Sequence, residues 1–244
     1  MYTKIGLILG DSILHGYFEQ DDKLVTEMRN IYDLDIVKTS FQKGVTTSVL
    51  VHKAFPREMA ELLKKNDCNI LVDIFLISGA VDLSNSISDE SHFNFDSFIS
   101  KRNEEFKIFV DHPLVRRLII YPLTPRGICR NDLKKRFPKY AVASWVSSAN
   151  KHIQYVNKSD FLFHSKLRYL KPLPDTQLIQ QVAKDGIHLT LEGRKLFARS
   201  VLGVEDKKIF SLDEFPPLPS RIRSSPLQSI DTQIEIFEAK FRDK

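Results

Sequence analysis

The feature that most constrains the fold is a ten-residue apolar segment. Seven of residues 69–78 are Ile, Leu, Val or Phe. A near-continuous apolar run of this length, without the alternation of a half-exposed strand, is typical of a parallel β-strand that is buried on both faces. We therefore predict a strand here, near the centre of a sheet that helices cover on both sides.

The rest of the chain alternates between short apolar runs and segments with apolar residues at helical spacing. The predicted strands are residues 4–9, 34–37, 69–78, 118–121 and 161–163. The predicted helices are residues 13–31, 57–65, 95–110, 140–156 and 189–202. Strands that alternate with helices need crossover connections, which give a mostly parallel sheet. The sequence thus predicts an α/β fold, a three-layer α/β/α sandwich with a mostly parallel central sheet.

The length of the chain and a change in composition predict one domain and a tail. The 244 residues are enough for one sizeable core, and 42% hydrophobic with 27% charged residues is typical of a globular protein. After Asp206, closely spaced prolines exclude a helix or a central strand. We predict an α/β domain over residues 1–206 and a Pro-rich tail over residues 207–244. Apolar residues at helical spacing predict a short amphipathic helix in the tail, which packs on the domain or recruits a partner: Ile230, Ile234, Phe237 and Phe241.

Nothing in the sequence indicates export or a membrane span. The apolar run at residues 5–9 is too short for the core of a signal peptide, and no later segment approaches the roughly 18 apolar residues of a transmembrane helix. We therefore expect a soluble, cytoplasmic protein in which Cys68 and Cys129 are reduced thiols. The spacing of the two cysteines does not suggest a metal site, and we expect neither a metal nor a cofactor.

Two short motifs could carry chemistry. Gly10-Asp11-Ser12 follows the first strand, where α/β proteins bind their ligands. Asp185 lies three residues before His188, a spacing at which a carboxylate can orient the imidazole of a general base. Each motif alone is more typical of a simpler role, a helix N-cap for Asp11-Ser12 and a surface turn for the second. Neither motif assigns a function on its own.

Together, four blocks of sequence resemble the signature blocks of the SGNH (GDSL) hydrolases. In chain order they are Gly10-Asp11-Ser12, the lone Gly44, Gly79-Ala80-Val81-Asp82-Leu83 and Asp185-x-x-His188. The resemblance extends over about residues 3–203 and excludes the tail. It implies ester hydrolysis, with Ser12 as the nucleophile, His188 as general base and acid, and Asp185 orienting His188. It also implies an oxyanion hole that includes the backbone N–H groups of Ser12 and Gly44.

The third block departs from the family pattern. That pattern is Gly-x-Asn-Asp, in which the asparagine side chain is a further oxyanion donor, whereas this chain has Val81 at the asparagine position. Losing one such donor typically costs about 3 to 4 kcal/mol, or roughly 100- to 1,000-fold in turnover. We therefore expect a slow or narrowly specific esterase for a small-molecule, lipid or carbohydrate ester with an acyl or acetyl group. Asn85 is a candidate to reach back into the site.

A second hypothesis is a non-catalytic or weakly catalytic domain that binds RNA or a protein partner, because some SGNH-like domains bind RNA. The formal net charge is +5, and Lys134-Lys135-Arg136, Arg116-Arg117 and Arg221-x-Arg223 are basic clusters that could attract phosphate. No RNA-binding motif of aromatic and glycine residues is present. The basic charge is spread along the chain, which favours a solvated basic surface.

Overall fold

The computed structural model describes residues 2–66, 69–87, 93–159, 164–173 and 175–203. All of them fall in one compact unit, Met1–Gly203. The Pro-rich tail and its terminal helix lie outside the described residues and stay predictions. Within the part described, no helix is long and apolar enough to cross a membrane.

A five-stranded, wholly parallel sheet forms the middle of the domain. Its strands are β1 (Thr3–Gly10), β2 (Ile36–Phe41), β3 (Ile70–Ile77), β4 (Val115–Ile120) and β5 (Leu167–Tyr169). The spatial order is β2-β1-β3-β4-β5, which is the flavodoxin-like order. The apolar segment that dominates the sequence is therefore the central strand, as predicted.

Helices cover both faces of this sheet. They are α1 (Asp22–Tyr32), α2 (Thr47–Val49), α3 (Phe55–Lys65), α4 (Ala80–Ser86), α5 (Phe95–Val110), α6 (Ala143–Lys158), α7 (Asp175–Ile179) and α8 (Leu191–Arg199). Between α2 and α3 the helical path continues through a π-helical turn, Leu50–Ala54. The three-layer α/β fold predicted from the sequence is confirmed.

The two faces of β3 show how the layers are built. Ile74 is fully buried in a core cluster that also contains Phe55 of α3 and Phe106 of α5. The neighbouring residue Phe75 points to the opposite face, because successive side chains of a strand alternate. There its ring meets Tyr32 of α1 edge-on, with centroids 4.9 Å apart. Burial on both sides explains why this strand contains so few polar residues.

One charged residue nevertheless lies inside this strand. Asp73 is fully buried, and its carboxylate accepts hydrogen bonds from Arg116 at 2.7 and 2.8 Å and from Arg117 Nε at 2.9 Å. Both guanidinium groups also donate to the carbonyl oxygen of Tyr32. Buried charges persist only when they are paired and hydrogen-bonded. The side chains of Arg116 and Arg117 are 10% and 6% exposed, so this pair is not the surface basic cluster that the RNA hypothesis assumed.

Several predicted boundaries were wrong. The first helix begins at Asp22, not residue 13, because Asp21 caps it by accepting a hydrogen bond from Leu24 N at 2.9 Å. The last helix, predicted over residues 189–202, spans Leu191–Arg199, and a 3-10 turn follows it. The structure adds a fifth strand that was not predicted, Leu167–Tyr169, whereas the strand predicted at residues 161–163 lies outside the described residues and stays a prediction.

Candidate active site

The site lies at the carboxyl edge of the sheet, beginning at the end of β1. Asp11 N donates to Ile77 O of the central strand at 3.0 Å, which fixes the chain where it leaves the sheet. The Asp11 carboxylate then accepts a hydrogen bond from Ile13 N at 2.9 Å, closing a tight turn around Ser12. A turn, not the start of a helix, therefore presents the Ser12 hydroxyl.

The structure brings Ser12, His188 and Asp185 together in a continuous chain of hydrogen bonds. Ser12 Oγ lies 2.8 Å from His188 Nε2, and His188 Nδ1 lies 2.6 Å from Asp185 Oδ2. The other Asp185 oxygen accepts hydrogen bonds from the backbone N–H groups of Ile187 and His188, at 2.9 and 3.0 Å. The histidine ring can therefore receive a proton from the serine while the carboxylate holds its opposite nitrogen.

The charge on Asp185 follows from these contacts. Partial burial raises the pKa of its carboxyl, but the hydrogen bonds from the His188 ring and the two backbone N–H groups outweigh burial and lower the pKa below its ordinary value. The ionised form is thus favoured. A carboxylate in this position stabilises the imidazolium that forms when the histidine accepts a proton.

The turn that holds Asp185 and His188 is anchored by the loop that follows β4. Gly127 N donates to Gly186 O at 3.0 Å, and Arg130 N donates to Lys184 O at 3.0 Å. Gly186 has a φ of 74°, and a Cβ there would lie 2.4 Å from the carbonyl oxygen of Gly127. Only glycine fits both conditions without a shift of the backbone. Gly186 is therefore required for the position of His188.

The resemblance names two backbone N–H groups as oxyanion donors, those of Ser12 and Gly44. Gly44, in the loop after β2, has a φ of 68°, and Gln42 N ties the start of this loop to Gly10 O at 2.9 Å. Neither Ser12 N nor Gly44 N donates a hydrogen bond within the described part of the chain. Their role as oxyanion donors, which the family resemblance implies, stays a prediction.

The third block has no donor at position 81, but its aspartate holds the loop that contains Gly44. Val81 is the second residue of α4, and its side chain carries no hydrogen-bond donor. The next residue, Asp82, accepts hydrogen bonds from Thr47 N and Thr47 Oγ1, both at 2.9 Å, which fixes the segment that follows Gly44. Asn85 is exposed and lines a neighbouring polar cavity of about 300 Å³ with Asp82, and no hydrogen bond joins it to the triad.

Sequence reasoning did not single out Arg126, a buried arginine whose positive charge acts on Asp11 and which is 2% exposed. Its Nη2 donates to Ala80 O at 3.1 Å, and the Asn150 side chain holds its backbone N and O at 2.7 and 2.8 Å. Burial raises the pKa of Asp11 to about 6, against the opposing effects of the Ile13 N–H and the positive charge of Arg126. A lone arginine in a loop forms no motif, so the sequence contained no signal for it.

The cysteines and the basic clusters named from the sequence can be located in part. Cys129 is a free, buried thiol, and Cys68 lies outside the described residues. No cluster of His, Cys, Asp or Glu among the described residues could hold a metal ion. Of the three basic clusters, Lys134-Lys135-Arg136 is exposed and Arg221-x-Arg223 lies outside the described residues.

Comparison with known proteins finds similarity only among solved structures. No protein-family model matches the chain, and no curated protein matches it in sequence. One similar structure is LAE5, an alpha/beta hydrolase enzyme from the metagenome of Lake Arreo, Spain, with 17% identity, a TM-score of 0.48 and coverage of 82% of this chain and 93% of that one. Another is a catalytic mutant of Axe2, an acetylxylan esterase from Geobacillus stearothermophilus, with 18% identity, a TM-score of 0.44 and coverage of 84% and 97%. At these values the similarity assigns no substrate to this chain.

Proposed function

We propose that this chain is a serine esterase of the SGNH (GDSL) type that hydrolyses a carboxylic ester with an acyl or acetyl group. The observation that carries the proposal is the unbroken hydrogen-bond chain from Ser12 Oγ through both nitrogens of His188 to Asp185. A serine in contact with a base that a third group orients is the arrangement that nucleophilic catalysis needs.

The first half of the reaction makes an acyl-enzyme. Ser12 Oγ attacks the ester carbonyl carbon while His188 Nε2 accepts the hydroxyl proton. Asp185 accepts a hydrogen bond from His188 Nδ1–H, which keeps the lone pair on Nε2 and stabilises the imidazolium. The tetrahedral intermediate then collapses, His188 returns the proton to the leaving alkoxide, and the alcohol departs.

Water completes the cycle by the same route. His188 accepts a proton from a water molecule as that water attacks the acyl carbon, and it returns the proton to Ser12 Oγ when the carboxylic acid leaves. Throughout, the oxyanion lies near the N–H groups of Ser12 and Gly44. Because Val81 adds no donor, the rate is expected to fall short of a three-donor site by roughly 100- to 1,000-fold.

The direct test is hydrolysis of a short-chain aryl ester by the wild-type chain and by Ser12→Ala. The change removes only the hydroxyl that attacks the substrate. Wild-type hydrolysis should exceed the rate of the Ser12→Ala chain, because the residual rate of that variant comes from binding and the oxyanion donors alone. Equal rates for the two proteins would exclude the proposal.

A further inference from the structure

The loop between β4 and α6 concentrates positive charge on one exposed surface. Residues 130–139, here called the basic loop, contain a single acid, Asp132. All five of its cations are exposed: Arg130, Lys134, Lys135, Arg136 and Lys139. Asp132 can neutralise only one of them, so the loop carries a net positive charge at neutral pH.

The cations of the basic loop have no counter-ions among the described residues. Some cations elsewhere are paired, as Lys38 is with Glu61 at 2.8 Å and Arg199 is with Glu27 at 2.6 Å. In the basic loop, Lys139 instead donates to the carbonyl oxygen of Ser84, and no ion pair forms. Unpaired like charges repel each other and maintain a positive potential in the solvent around them.

Backbone contacts fix the basic loop beside the proposed catalytic turn. Cys129 N donates to Tyr140 O at 2.6 Å, which joins the two ends of the loop at its base. Arg130 N donates to Lys184 O at 3.0 Å, and the next residue after Lys184 is Asp185. Lys184 is itself exposed and adds a sixth cation beside the basic loop. The basic loop therefore begins beside the turn that carries Asp185 and His188.

We propose that the basic loop recruits an ester that carries a negative charge, such as a carboxylate or phosphate, away from the bond that is cleaved. This inference rests on the proposed esterase function and names the charge class of its substrate. Cations around the mouth of a site raise the local concentration of an anion and its rate of association, and salt weakens both effects. A neutral ester gains nothing from the same charges.

An anionic small molecule fits these observations better than a nucleic acid does. A polyanion is bound by cations that follow its backbone over many phosphates. Here five exposed cations fall within one ten-residue loop and a sixth, Lys184, lies beside its first residue, while Arg116 and Arg117 are occupied by Asp73. The charge is therefore suited to one or two negative groups close to the catalytic turn.

The test compares two aryl esters that share a leaving group and chain length and differ in charge, 4-nitrophenyl hexanoate and the 4-nitrophenyl monoester of adipic acid. The test protein is the triple variant Lys134→Gln, Lys135→Gln, Arg136→Gln. The matched control is Lys64→Gln, Lys65→Gln, two exposed cations at the end of α3, just before β3 begins at the opposite edge of the sheet. For each protein, kcat/KM is measured at low and at high ionic strength.

The triple variant should lose about fivefold in kcat/KM for the adipate ester at low ionic strength and nothing for the hexanoate ester. High salt should remove the difference, and the control should behave as wild type. Equal losses on both esters, or the same loss in the control, would overturn the proposal while leaving the esterase intact. Salt-sensitive binding of single-stranded RNA that the triple variant loses, without any preference between the esters, would overturn it in favour of a nucleic-acid site.

A further outcome separates this inference from the function on which it rests. If the wild-type chain hydrolyses neither ester faster than Ser12→Ala, the esterase proposal fails and the inference fails with it. If it hydrolyses both esters without regard to charge, only the inference about the basic loop is wrong.

Discussion

Ser12 Oγ lies 2.8 Å from His188 Nε2, although the two residues are 176 positions apart in the chain. One stands at the end of β1 and the other just before α8, and the parallel sheet brings both to its carboxyl edge. Their contact depends on two tight turns, one around Ser12 and the other around Gly186.

Replacing Val81 by asparagine should raise the rate. Val81 occupies the position where the family pattern has an asparagine donor, so Val81→Asn places an amide N–H where the oxyanion forms. Turnover of an aryl ester should rise by up to roughly 100-fold, because one oxyanion donor is typically worth that much or more. Val81→Ala is the control for a change of size alone and should give no increase. No increase in the Val81→Asn chain would mean that this side chain does not adjoin the oxyanion.

Replacing Gly186 by alanine should impair both folding and activity. The added Cβ would meet the carbonyl oxygen of Gly127, and the φ of 74° is unfavourable for alanine. Strain of this kind costs about 1 to 3 kcal/mol, measurable as a lower free energy of unfolding in urea. Ester hydrolysis should fall further than stability explains, because His188 shifts away from Ser12.

The control for this change is Gly203→Ala, at a glycine where a Cβ would meet no atom of the described residues within 4 Å. It should leave both the unfolding free energy and the rate close to wild type. A Gly186→Ala chain with wild-type activity would contradict the assignment of this turn as the support of His188.

Asp11 should make stability depend on pH. Its pKa is about 6 in the folded chain and near 3.8 when exposed, so the folded state binds the proton more tightly. The unfolding free energy should therefore fall as pH rises from about 4 to 6, by roughly 3 kcal/mol at most from this group. Asp11→Asn keeps an oxygen to accept from Ile13 N but cannot ionise, so its stability should lack that decrease.

Urea unfolding at several pH values between 4 and 7 measures this difference. Asp132→Asn removes an exposed carboxyl instead and should follow the wild-type pH dependence. The prediction is wrong if the Asp11→Asn and wild-type curves run parallel.

Removing the buried carboxylate of Asp73 should cost far more stability than removing an exposed one. Asp73→Asn leaves Arg116 and Arg117 without their counter-ion in the sheet, and breaking a buried pair in this way typically costs about 3 to 5 kcal/mol. Asp33→Asn is the matched control, since Asp33 pairs with Lys4 at the surface and is 68% exposed. That change should shift the unfolding free energy by less than about 1 kcal/mol. Similar losses in the two variants would show that the buried network contributes little.

The sequence was sufficient to predict the fold because the main signals are local. The apolar run of β3 required a central strand, and residues 95–110 were predicted as a helix with the bounds that α5 has. The predicted start of the first helix was wrong. Ile13, Leu14, Tyr17 and Phe18 have helical spacing, but they are buried in the segment that precedes Asp21, the residue that caps α1. Apolar spacing records burial and does not by itself distinguish a helix from a packed turn.

The site was only partly predictable, for a similar reason. Ser12, Asp185 and His188 stand in short motifs, and the structure brings these three residues together, while their catalytic roles stay a prediction. Arg126 and the pairing of Arg117 with Asp73 depend on residues that are distant in the sequence. Two adjacent arginines in a sequence resemble a surface basic cluster. That Asp73 is the counter-ion of Arg116 and Arg117 becomes visible only when β3 is paired with β4.

The most direct measurement of the central claim is labelling by a serine-directed fluorophosphonate. This reagent reacts with a serine whose hydroxyl is activated by a neighbouring base. Peptide mapping should locate one label per chain on Ser12, and both Ser12→Ala and a folded His188→Ala chain should show none. A wild-type chain that stays unlabelled, or a His188→Ala chain labelled as fast as wild type, would contradict the claim that these residues form a working triad.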